Sequence, residues 1–142
     1  MTIAAILNSK GHEVVSVTAG QRVAEAVALL AERRIGAVPV MDGDTVTGVF
    51  SERDVIYCLA THGAAALDRT VGEAMTAPAV TVAPGDAVLS ALSLMTRRRL
   101  RHLPVVDGGR MTGLVSIGDL VKYRIERIEA DARAMRDYIQ QA

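Results

Sequence analysis

Val38-Pro39-Val40-Met41-Asp42-Gly43 and, a few residues on, Thr47-Gly48-Val49-Phe50-Ser51-Glu52-Arg53-Asp54 decide how this chain is read, because both runs come back. Leu103-Pro104-Val105-Val106-Asp107-Gly108 and Thr112-Gly113-Leu114-Val115-Ser116-Ile117-Gly118-Asp119 lie 65 positions further along. Residues 14–58 align with residues 79–123 without a gap, with 16 identities in 45 positions. Shared aliphatic composition alone would not keep Pro, Gly, Ser and Asp in register, so the chain is a tandem repeat.

Each copy reads as β-α-β-β-α. In the first, residues 14–17 are a short β-rich run. Residues 21–33 then place Val23, Ala26, Val27 and Leu30 at helical spacing. Residues 37–41 and 45–50 are strands around the turn at 42–44, and Ser51 opens a helix. The second copy predicts a strand at 80–82, a helix at 86–98, strands at 102–106 and 110–115, and a helix from Ser116. Short helical pieces at 2–9 and 71–75 lead into the copies, and residues 61–70 connect them. The expected class is therefore mixed α/β (α+β), divided into repeat 1 (1–65) and repeat 2 (66–142).

Neither copy buries enough apolar surface alone. Together, 142 residues, 50% of them hydrophobic, bury roughly two-thirds of their unfolded surface without a disulfide or metal. The expectation is two copies face to face, sharing one core about a pseudo-two-fold axis, with a cleft between like elements where a small ligand could sit.

Composition excludes several functions. Sixteen basic residues offset 16 acidic ones, which removes bulk attraction to nucleic acid or an acidic membrane. One Phe, three Tyr and no Trp give no platform for stacked bases, so any base is expected against aliphatic side chains. The single Cys58 rules out an internal disulfide or a Cys-rich zinc site. No apolar run is long enough to span a membrane, and the N-terminus lacks a signal-peptide pattern. A cytoplasmic protein is expected.

The repeated Gly-h-h-Ser-x-x-Asp, where h is apolar, has two readings. Ser51 with Asp54, and Ser116 with Asp119, have capping-box spacing, and Gly48 and Gly113 suit a bulge or close backbone approach. The same atoms also suit a nucleoside phosphate. A helix N-terminus attracts phosphate, a nearby carboxylate accepts from two ribose hydroxyls, and serine serves either group. Flanking aliphatic positions would hold the base: Val14, Val17, Ile35, Val80, Val82, Leu100 and Pro104.

These residues carry a resemblance. The doubled motif behind Pro-Val-x-Asp-Gly resembles a pair of cystathionine β-synthase-type (CBS) domains, a Bateman module, over nearly the whole chain. Ser-Glu-Arg-Asp in the first copy, with Arg-His-Leu-Pro-Val and Ser-Ile-Gly-Asp in the second, is similar to stand-alone bacterial members. The resemblance implies sheets packed about a pseudo-two-fold axis and binding of AMP, ADP, ATP or NAD(H) between the repeats. It puts Asp54 and Asp119 on ribose and Ser51 and Ser116 at the hydroxyl position. Phosphate contacts would come from Arg101 and His102 in the second copy. Gly36 and Ala37 stand there in the first, with Arg53 as substitute and Glu52 opposing a phosphate.

Arg97 and Arg98 fit a helix C-terminus. No His-Glu-x-x-His, Gly-x-Ser-x-Gly or phosphate-loop Lys motif is present, so neither an enzyme nor a catalytic cofactor or metal is expected. The last helix carries Val121, Ile125, Ile128, Ala132, Met135 and Ile139 at alternating spacings of four and three. Such a seam either folds back on its own chain or meets a partner helix, most simply in a homodimer. The expected function is a non-catalytic regulatory module that senses an adenine nucleotide and acts on a regulated protein. A dimeric scaffold with degenerate sites is the alternative.

Overall fold

The computed structural model describes residues 1–141. The first repeat contributes α2 (Val23–Arg33), β1 (Ala37–Asp42), β2 (Thr45–Ser51) and α3 (Glu52–His62), preceded by α1 (Ile3–Lys10). A 3₁₀ turn (Gly63–Asp68) links to α4 (Val71–Ala74). The second repeat follows with α5 (Val88–Arg98), β3 (His102–Asp107), β4 (Arg110–Ser116) and α6 (Ile117–Gln141).

Each hairpin is built by its motif residues. Asp42 pairs with Thr45 and Asp107 with Arg110, leaving two-residue loops at Gly43-Asp44 and Gly108-Gly109. Gly43, Gly108 and Gly109 have φ of 61°, 60° and 79°, a left-handed region that glycine enters at no steric cost. A bulge after Val40 and after Val105 leaves Thr47 and Thr112 unpaired in the ladder. Their hydroxyls donate to the carbonyls of Val40 and Val105 at 3.1 and 3.4 Å, which explains the repeated Thr-Gly.

The expected strands at 14–17 and 80–82 shrink to single parallel bridges, Val17 to Val40 and Val82 to Val105. Val17 donates to the Pro39 carbonyl and accepts from Met41; Val82 does the same with Pro104 and Val106. The next rung would need an N–H from Pro39 or Pro104, and proline has none. The motif proline thus ends the third strand.

The single shared core is also corrected. Buried residues form two clusters, and each takes its lead-in helix from the other repeat. Ile3, Ile6 and Leu7 of α1 join Val88, Met95, Leu103, Val105, Val115 and Leu120. Val71 of α4 joins Val17, Val23, Leu30, Val38, Val40 and Phe50. This exchange explains the motif glycines. A Cβ on Gly48 would stand 2.7 Å from the Thr76 carbonyl oxygen, and one on Gly113 would stand 2.7 Å from Leu7 Cδ2. Backbone yields less readily than a leucine rotamer. Gly48→Ala should therefore cost about 1–3 kcal/mol and Gly113→Ala less, as read from urea unfolding midpoints. Equal losses would contradict this packing.

Helix α6 runs 25 residues. Leu120 is its one buried side chain, and every residue from Ile125 to Gln141 is exposed. The helix leaves the body and does not fold back over its own chain.

Candidate functional site

Asp54 is the one charged side chain that is buried among the described residues, at 7% exposure. Extended backbone at Ser51 ends β2 and starts α3, which puts Asp54 at the third helical position. Its Oδ2 accepts from the Ser51 N–H at 2.8 Å and the Ser51 hydroxyl at 3.1 Å. Its Oδ1 accepts from the Thr76 hydroxyl at 2.8 Å. Thr76 is held by exchanging two backbone bonds with Val49, both 3.0 Å. The helix-capping role is thus filled. Oδ2 already accepts twice and Oδ1 once, so one of the four lone-pair sites is open, on Oδ1, and a second opens when the Ser51 hydroxyl turns away to a ligand.

Around Asp54 opens a cavity of about 470 Å³, within the size range of small-molecule sites. The first repeat lines it with Ser51, Glu52 and Arg53 at the start of α3 and with Ile56 and Tyr57 one turn on. Thr76, Pro78, Ala79 and Val80 form a second wall, and Arg99, Leu100, Arg101 and His102 a third. The cations expected beside the second copy's aspartate therefore stand over the first copy's. The cause is the pseudo-two-fold packing, which sets Gly36 against His102: a Cβ on Gly36 would lie 3.4 Å from His102 Cε1 and 3.0 Å from Glu52 Oε1. Arg53 Nη1 donates to the Arg99 carbonyl at 3.0 Å, tying the two repeats across the cavity.

His102 titrates below its ordinary value of 6.5. Burial is the main cause, helped by the charges of Lys10 and Arg101 and opposed by Asp119 and Glu52. At neutral pH it is an uncharged imidazole, able to donate one N–H and to gain a proton beside an anion.

The second motif keeps the capping box and differs in what meets its aspartate. The Ser116 N–H donates to Asp119 Oδ2 at 2.8 Å, and the Asp119 N–H donates to Ser116 Oγ at 3.1 Å, a reciprocal capping box. Lys10 Nζ, at the end of α1, donates to Asp119 Oδ2 at 2.6 Å and to the Leu114 carbonyl at 2.9 Å. Partial burial pulls the Asp119 carboxyl upward. Hydrogen bonds from Lys10 and the Ser116 N–H, together with the Lys10 charge, outweigh it and hold the group below the ordinary carboxylate range.

Of the aliphatic positions expected around a base, Val80 and Leu100 are on the cavity wall. Val17, Val82 and Pro104 are buried in the interior, where their backbones form the third-strand bridges, and Ile35 packs on the first-repeat core. Val14 is half-buried. Ile56, Tyr57, Thr76, Pro78, Ala79 and Arg99 line the cavity without having been expected there. Tyr57 supplies an aromatic ring that the composition argued against. Its signal was helical spacing, since Arg53, Ile56 and Tyr57 are at i, i+3 and i+4 on α3. Among the described residues no group of His, Cys, Asp or Glu could hold a metal, and no helix is long and apolar enough to cross a membrane.

Two repeats that share a cavity lined by a carboxylate and cations define a domain pair with a candidate small-ligand site. The CBS domain family model matches residues 7–61 and 71–126, and the chain belongs to that family. It is 31% identical over 148 residues to the mitochondrial CBS domain-containing protein CBSX3 of Arabidopsis thaliana, covering 98% of this chain and 72% of the relative. The crystal structure of the CBS-domain containing protein ATU1752 from Agrobacterium tumefaciens superposes with a TM-score of 0.84 at 38% identity, covering 87% of this chain and 99% of that one. The CBS domain protein PAE2072 from Pyrobaculum aerophilum, solved in complex with AMP, matches with a TM-score of 0.74 at 27% identity, over 84% and 89% of the two chains.

Proposed function

We propose that this chain is a non-catalytic regulatory module that binds an adenine nucleotide, AMP, ADP, ATP or NAD(H), in the Asp54 cavity and conveys its occupancy to a regulated protein. In this reading Asp54 accepts the ribose hydroxyls beside Ser51 and Thr76. Arg53, Arg101 and His102 meet the phosphate, and Val80, Leu100 and Tyr57 flank the base. The observation that carries it is the meeting of a buried carboxylate from one repeat with an arginine and a histidine from the other around one cavity. The AMP complex of PAE2072 supports the same ligand class. A ligand touching both repeats favours one relative arrangement of them, by no more than its difference in affinity for the two arrangements.

The test is a thermal-shift screen with AMP, ATP, NADH and S-adenosylmethionine. A nucleotide at 100 times its dissociation constant adds about 2.7 kcal/mol. Absence of any shift at millimolar nucleotide would leave the dimeric scaffold as the better reading. A cytoplasmic location belongs to the proposal.

The proposal includes a homodimer through α6. Its seam is bare: Ile125, Ile128, Met135 and Ile139 are each half exposed or more, in the order of a coiled-coil stripe. A lone helix of such length would leave that stripe in water, whereas a second copy covers it with an identical one. Ile128→Glu should convert dimer to monomer in analytical ultracentrifugation with no loss of helix content; an unchanged sedimentation coefficient would remove α6 from the interface.

A further inference from the structure

The two repeated motifs are not chemically equivalent, and Lys10 is the reason. Shifted by one repeat, Lys10 corresponds to Met75 and Gly11 to Thr76. The first aspartate thus receives a neutral hydroxyl from its lead-in segment, while the second receives an ammonium group. We infer that Lys10 is the resident partner of Asp119 and makes the pair a one-nucleotide module, with ligand directed to the Asp54 cavity. The inference rests on the nucleotide reading of that cavity.

Lys10 is well placed to hold its carboxylate. It is the last residue of α1, whose Ile3, Ile6 and Leu7 are locked into the second-repeat core. Its ammonium is fixed at two points, Asp119 and the Leu114 carbonyl. A ribose arriving at Asp119 would exchange a charge-assisted bond for bonds from neutral hydroxyls, and would have to displace an ammonium group held at two points. The phosphate side argues the same way. By repeat, the counterparts of Arg53, Arg101 and His102 are Gly118, Gly36 and Ala37, none of which carries a charge. His102 also pairs across the strands with Ser116 and feels both Lys10 and Asp119, so the electrostatics of the two ends meet at this residue.

Calorimetric titration with AMP tests the assignment. The wild-type chain should bind one AMP. Lys10→Met frees the second carboxylate and should bind two, the second about tenfold or more weaker because the phosphate cations are still lacking. Lys10→Met with Asp119→Asn should return to one. Two AMP per wild-type chain, or one in Lys10→Met, would overturn the inference. Failure of the nucleotide reading looks different: the wild type then binds no AMP at all. The contact itself is read without ligand by a carbon-13 carboxyl titration of Asp119, whose midpoint should rise in Lys10→Met; a midpoint that stays put overturns the role of Lys10 whatever the nucleotide result.

Discussion

Asp54→Asn should weaken AMP binding by about 100-fold while leaving the protein folded. A hydrogen bond to a charged group contributes about 1.5–3 kcal/mol, and a ribose presents two hydroxyls to one carboxylate. Loss of roughly 3 kcal/mol corresponds to that factor of 100. Asparagine is chosen over alanine because the same side chain caps α3. Its amide oxygen still accepts from the Ser51 N–H, and its amide N–H₂ can meet the Thr76 oxygen after the hydroxyl turns. Calorimetry gives the affinity, and circular dichroism with a thermal melt confirms the fold. Unchanged affinity in a folded variant would return Asp54 to helix capping alone.

Leu7→Ala should cost about 2–5 kcal/mol, the range for truncating a buried leucine. Leu7 is 1% exposed and lies against Gly113 of the second repeat. The location of the damage is the more telling result. Hydrogen exchange should speed up in α5, β3 and β4, far from Leu7 in sequence, and change less in α2, β1 and β2, which follow it directly. The opposite pattern would contradict the exchange of lead-in helices between repeats.

That exchange marks where sequence reading stops. The β-α-β-β-α order was legible because Pro, Gly, Ser and Asp recur in register and because turn and helix spacings are local properties. Which core a lead-in helix joins is not local. Ile3, Ile6 and Leu7 form an apolar face that would suit either cluster, and only the pseudo-two-fold packing assigns it. The shortened third strands follow from the missing N–H of Pro39 and Pro104, which is written in the sequence but matters only once the tertiary pairing of residues 17 and 82 with these strands is known.

The candidate site was partly legible for similar reasons. Ser51 and Asp54 of the motif, Val80 and Leu100 of the flanking aliphatic positions, and Arg53, Arg101 and His102 of the resemblance all lie on one cavity. Their division between copies was misjudged because the cavity joins the start of α3 to the approach to β3, a pairing that no alignment of one copy on the other displays. Tyr57 was hidden by the scarcity of aromatic residues, although its helical spacing from Arg53 was visible. Lys10 lies outside the aligned repeat, before Val14, and nothing in its neighbours singles it out. Its importance is purely tertiary, 109 residues from its partner.

The central claim, that an adenine nucleotide occupies the Asp54 cavity, is tested most directly by amide chemical-shift mapping during titration with AMP. The account predicts saturable shifts concentrated at Ser51, Asp54, Tyr57, Thr76, Arg101 and His102, from both repeats together. Shifts absent at millimolar AMP, or confined to residues away from this cavity, would contradict it.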